Sequence, residues 1–308
     1  MYILEGIQLV LGDIIEILLA IGFICLVPIL ISSILYGIYK FLLFIHRHKW
    51  KFIILFTLIL LFFGGYYLSI YLETDKYKLT DETIKYNNIT LYRIKALKNF
   101  NDVERGDYGG YVESINNLSQ NGNCWVYDGA KVYGNAKIYD NAEIHLNAEV
   151  YDNAEVYDNA KIWYGNIKIY ENSKIFGSAT IGTKFDCLND DKILIYGNSE
   201  IYGNASIHGN SEIYDFAKIY DNAFINIDSE YLLLNKNLKN IICGNSQIHG
   251  KTSIENGSKI GGNTEIYGNI SVENSSISES IKIYNLKSYK SLIRNNQYIS
   301  YDIIIENL

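Results

Sequence analysis

The chain has 308 residues, a net charge of −7 and a pI near 5.3. Such an acidic balance gives no basic field to gather a polyanion, so nucleic acid is excluded as an expected partner. The four cysteines, Cys25, Cys124, Cys187 and Cys243, are far apart with no CxxC pair, so neither a metal centre nor a disulfide framework is expected.

Residues 1–72 differ from everything that follows. Glu16 is the only charged residue from Ile14 to Tyr39, and Phe52 to Leu72 has none. Each run exceeds the roughly 20 helical residues that cross a ~30 Å hydrocarbon core, which predicts a two-helix transmembrane hairpin with spans at about 14–39 and 52–72. Between them lies the basic loop His46-Arg47-His48-Lys49-Trp50-Lys51. By the positive-inside rule this loop stays cytoplasmic, so the remainder of a membrane protein is expected outside the cytoplasm. The lipid bilayer is then the expected partner of the hairpin. Residues 73–90 are polar and read as a linker.

From Leu91 the chain carries a series of distinctive phrases: Leu91-Tyr92-Arg93-Ile94, Phe100-Asn101-Asp102-Val103, Gly109-Gly110-Tyr111-Val112, Leu118-Ser119-Gln120 and Gly122-Asn123-Cys124-Trp125. They resemble the YdcK-type hexapeptide-repeat proteins, closely from residue 91 to about 180 and in style to about 283. The resemblance implies a left-handed β-helix, a hand that the periodicity by itself does not give. It also implies an acyltransferase of the hexapeptide class. The hairpin departs from the soluble members of that family, so cellular location is not carried over. Residues 91–125 read as the N-terminal cap of the solenoid, since open β-helix ends expose unpaired strand edges. Val112, Leu118 and Cys124 are six apart in the register of Ala130 and Ala136, which makes Cys124 an inward apolar thiol.

From Val126 to Ile283 a six-residue phrase repeats. Aliphatic residues recur at Val126, Val132, Ile138, Ile144, Val150, Val156 and Ile162, and then at Ile169, Ile175 and Ile181. A small residue follows four places after most of them, as at Ala130, Ala136, Ala142 and Ala148. A period of six predicts a single-stranded parallel β-helix in an all-β domain, with one short strand and one corner per hexad. Gly-Asn and Asp-Asn pairs supply corners at positive φ. The phase breaks at Gly182–Leu194 and Asn226–Ile241; the second break contains Tyr231-Leu232-Leu233-Leu234, read as an apolar turn packed on the solenoid wall. Seven or eight coils are expected, roughly 35 to 40 Å of rod at strand spacing. Residues 284–308 read as a C-terminal cap, with Tyr301–Ile305 closing the end as a strand.

The histidines of the repeat, His145, His208 and His249, take the outward slot otherwise held by Tyr. Counting hexads through the breaks distributes them over three faces, with no convergence. Tyr127, Tyr133, Tyr139, Tyr151, Tyr157, Trp163 and Tyr170 form an outward aromatic ladder able to stack on a glycan or a partner protein. The leading expectation is a non-catalytic, membrane-anchored β-helical scaffold or binding protein without a cofactor, with homo-oligomerisation open. The alternative is a hexapeptide-class acyltransferase that draws on acyl-CoA to modify an envelope glycan or lipid intermediate. Its candidate bases are His145, His208 and His249.

Overall fold

The computed structural model describes residues 29–41, 43–44, 46–47, 49–72, 75–182, 192–228, 231, 235, 237–285, 290–298 and 303–307. Two compact units divide at Thr74 and Asp75. In the first, residues 29–41 and α1 (Lys49–Leu72) are helical. Inside α1 the Thr57 hydroxyl donates back to the Ile53 carbonyl at 2.8 Å, which satisfies a polar group on an otherwise apolar helix.

Among the described residues no helix is long and apolar enough to cross a membrane. This corrects the transmembrane hairpin, and with it the membrane location and the extracytoplasmic placement argued from that hairpin. Residues 14–28 of the first predicted span lie outside the described residues.

The second unit is all-β. It begins with β1 (Tyr77–Tyr86) and β2 (Ile89–Ala96), an antiparallel hairpin turned by Asn87 and Asn88 at φ 47° and 66°. Residues 77–86 therefore belong to a strand and not to the expected linker. Its polar Thr-Asp-Glu-Thr stretch sits on a sheet edge where side chains meet water, so no alternation of apolar residues announces it. Next, β2 pairs antiparallel with β3 (Tyr108–Val112), and β3 passes into the solenoid by pairing parallel with the strand at Val132.

Beyond β3 the chain winds as a parallel β-solenoid of three sheets. The first face stacks Val112, Val132, Val150, Ile169, Ile195, Ile213, Ile242, Ile260 and Ile277. A second face runs from Leu118 and Ile138 to Ile283, and a third from Val126 and Ile144 to Ile293. All these aliphatic side chains are buried, and Ala130, Ala136, Ala142, Ala148, Ser173 and Ser199 fill the small slots between them. The described residues thus make nine coils. The count exceeds the expected one because Val112 and Leu118 occupy aliphatic positions, not the small-residue register assigned to them. Extra residues between Leu118 and Val126 shift the phase, so only Cys124 enters a small slot, one coil from Ala142.

The corners follow from local chemistry. Asp140, Asp152 and Asp158 take φ of 56° to 58°, and Gly134 takes 66°. At Gly134 a Cβ would lie 3.0 Å from the Asp152 nitrogen of the next coil, so close backbone approach as well as φ favours glycine. The Asn after each of these residues stacks its amide on the Asn one coil away, as in Asn123–Asn141–Asn159 and Asn135–Asn153–Asn172–Asn198 at 3.1 to 3.2 Å.

A buried polar plug closes the N-terminal end. Lys76 is fully buried, and its Nζ donates to the Cys124 carbonyl at 2.8 Å while lying 3.1 Å from Cys124 Sγ. Burial pushes the Lys76 pKa down, and contact with Cys124 works the other way. Cys124 is inward, as expected, yet the site around it is polar. Tyr77 donates to the Leu118 carbonyl at 2.6 Å, and Trp125 meets the rings of Tyr77 and Phe100 edge-on. At the other end Ile304–Asn307 pairs antiparallel with Ile281–Tyr284, and Gln297–Tyr298 folds back on Ser291–Arg294. Of the expected apolar turn, Leu232, Leu233 and Leu234 lie outside the described residues.

Candidate functional site on the third face

Register through the breaks decides which outward residues share a face. Ile144 and Ile207 both belong to the third sheet, whereas Ile248 belongs to the second. His145 and His208 therefore share a face, which corrects the three-face distribution, and His249 lies on a neighbouring one. The two on the third face stand three coils apart, roughly 14 Å at ~4.8 Å per coil, and do not meet.

The three lengthened corners on the way from third face to first also fall on one edge of the prism. They follow Ile162, Ile181 and Ile225, and the next first-face residues come only at Ile169, Ile195 and Ile242. Neither histidine lies in a long insertion: each directly follows a two-residue third-face strand, Glu143–Ile144 or Ser206–Ile207, that turns into an ordinary six-residue corner on this edge.

His145 has the most developed surroundings. It stacks between Tyr127 and Trp163 at centroid distances of 4.1 and 4.3 Å, with Tyr164 tilted toward it at 6.3 Å. Its Nε2 lies 3.2 Å from Glu143 Oε2. The other carboxylate oxygen accepts from Lys161 Nζ at 2.8 Å and from Asn101 Nδ2 at 3.4 Å. Burial would raise the Glu143 pKa, but hydrogen bonds and charge from His145 and Lys161 outweigh it and leave the group at about 2. Glu143 is thus a fixed carboxylate beside the imidazole. The cap segment supplies the wall: Asn101 reaches Glu143, and Asp102 accepts from the Tyr127 hydroxyl at 2.6 Å.

His208 faces Ser206, with Oγ to Nε2 at 2.6 Å, and burial lowers its pKa. His249 stacks between Tyr220 and Tyr267, with Nε2 3.1 Å from Glu265 and Nδ1 3.6 Å from Asp221. Both of its nitrogens thus face carboxylates, an arrangement that suits a ring held in place more than one presenting a lone pair to a substrate.

The outward aromatic residues stack as ladders on the three faces. Tyr133, Tyr151 and Tyr170 continue through Tyr196 to Tyr214 on the first face at 4.9 to 5.1 Å. Tyr139 and Tyr157 begin a second-face run through Phe176, Tyr202, Tyr220 and His249 to Tyr284 at 4.5 to 5.0 Å. Tyr127 and Trp163 flank His145 on the third. Ring faces in these stacks are turned against one another, so edges and hydroxyls point outward. Burial, followed by neighbouring tyrosines and carboxylates, pushes Tyr151 and Tyr220 up to about 12, so these hydroxyls stay protonated donors at neutral pH.

Sequence reasoning missed Glu143, Lys161, Asn101, Asp102 and Ser206. The available signal was position: Glu143 and Ser206 each stand two residues before a histidine, and an outward pair on one strand shares a face. Lys161 is one coil from Glu143, which requires the hexad count.

No family model matches the chain. The uncharacterized acetyltransferase YdcK of Escherichia coli (strain K12) is 38% identical over 61 residues, a match covering 17% of this chain and 19% of that protein. The chain thus spans about a fifth of the length of the curated relative it matches. Solenoid and match together fit the hexapeptide-repeat family.

Proposed function

We propose that this protein is an acyltransferase of the hexapeptide class, taking an acyl group from acyl-CoA and delivering it to a hydroxyl or amine, with His145 as general base. The supporting observation is the Glu143–His145 pair anchored by Lys161 on a face walled by the cap segment. Similarity to a protein named as an acetyltransferase points the same way.

In this reading Glu143 accepts from the Nε2 proton of His145, which leaves Nδ1 as the basic nitrogen. The acceptor gives its proton to Nδ1 and attacks the thioester carbonyl. The carbon–sulfur bond then breaks, and the leaving thiolate takes the proton back from the imidazole. Positioned general bases contribute about 10²- to 10⁴-fold. Acetyl-CoA binding by calorimetry, followed by transfer to a panel of amines and sugars, tests the reading. His145→Ala is expected to retain binding within a few-fold and to lose about 10²-fold or more in rate. Absence of acetyl-CoA binding at millimolar concentration, or full activity of His145→Ala, overturns it.

A further inference from the structure

Ser206 and His208 flank the inward Ile207 just as Glu143 and His145 flank Ile144, with a hydroxyl where the other pair has a carboxylate. That change alters the chemistry. At 2.6 Å, Ser206 Oγ is within the reach at which an imidazole activates a hydroxyl for attack on a carbonyl. Because burial lowers the pKa of His208, the ring is neutral at pH 7 and can hold its lone pair on Nε2.

One coil on, the Phe224 ring lies tilted against the His208 imidazole at a centroid distance of 5.4 Å, so the pair has an apolar wall on one side. A cleft of about 430 Å³ lined by Lys192, Leu194, Glu212 and Lys239 opens on the adjoining first face; neither Ser206 nor His208 lines it, and the pair stands apart from it.

We propose that Ser206 is a nucleophile and His208 its base, forming a second site that takes small carboxylic esters or thioesters and passes through an acyl-serine. Ser206 Oγ bonds to the acyl carbon as its proton moves to His208 Nε2. The bond to the leaving alkoxide or thiolate breaks, and that group departs with the proton. Water then attacks the acyl-serine with the same imidazole as base, releasing the carboxylic acid and restoring the hydroxyl. This site does not depend on the acyl-CoA reading at His145, and the probe that tests it contains no CoA.

The experiment treats the full chain with a biotinylated fluorophosphonate and maps the modified serine by peptide mass spectrometry. It also follows p-nitrophenyl acetate for a stoichiometric burst. Modification at Ser206 is expected, abolished in Ser206→Ala, slowed at least tenfold in His208→Gln and His208→Asn, and retained in Ser178→Ala, which removes an exposed corner serine. Thermal unfolding of each variant separates loss of chemistry from loss of fold. The proposal is overturned by an unmodified Ser206 in a cooperatively melting chain, by modification only at other serines, or by wild-type rates in both folded His208 variants.

Discussion

Glu143 is where charge, burial and hydrogen bonding compete most directly. Its carboxyl is held at about 2 in the folded chain, against ~4.3 for an unperturbed glutamate. A depressed folded pKa stabilises the fold fully above the unfolded value, and that contribution is lost as pH falls through the folded one. The stability gap between wild type and Glu143→Gln, read from urea unfolding, is therefore expected to be constant from pH 7 to about 5 and to shrink between about 4 and 2. A gap that widens on acidification contradicts this assignment. Ser246 tests the small slot instead. Its buried hydroxyl has no hydrogen-bond partner among the described residues, while equivalent slots hold Ala217 and Ala223. Ser246→Ala removes an unsatisfied group and is expected to raise stability by about 1 kcal/mol in chemical denaturation. A loss of that size instead argues for an unseen partner of the hydroxyl.

At the scale of the element, one coil stands or falls on its inward aliphatic residue. Val156 pairs with Ile138 on one side and Ile175 on the other and is fully buried. Val156→Asp inserts an unpaired charge between two coils and is expected to cost more than about 4 kcal/mol. Unchanged thermal unfolding of that variant would refute the register. Strands of the solenoid are mostly two residues long, so each is held by its neighbours above and below more than by intrinsic propensity. The Asn and aromatic stacks extend the same logic outside the core, joining equivalent residues one coil apart.

The whole molecule was legible in its period and less so in its ends and faces. Inward aliphatic residues, small slots and Gly-Asn or Asp-Asn corners were readable because each depends only on residues a few places away. The strand at 77–86 was hidden, since an edge strand of polar residues carries no alternation. The plug was hidden too: Lys76 reaches Cys124 and Asn121 across the fold, and a lysine before a tyrosine gives no hint of burial. Lys76→Met leaves the Cys124 carbonyl without that donor and is expected to cost about 1 to 3 kcal/mol. Hydrogen exchange should then show the first coils losing protection before the middle of the rod, as nearest-neighbour stacking demands. Uniform loss of protection along the rod would mean the end plug is not what holds those coils.

By itself, the sequence determined that the repeat region is a parallel solenoid, which residues point inward and where the corners turn. These are local properties, set by strand alternation and the conformational range of glycine, asparagine and aspartate. Only the tertiary structure decided that His145 and His208 share a face, that the breaks after Ile162, Ile181 and Ile225 fall on the same edge, and that Glu143 meets Lys161 beside the imidazole. Face identity repeats every third hexad, so each inserted residue leaves the later count ambiguous until strands pair. Hydrogen bonds between coils remove that ambiguity, and they join residues too far apart in the chain for spacing to connect.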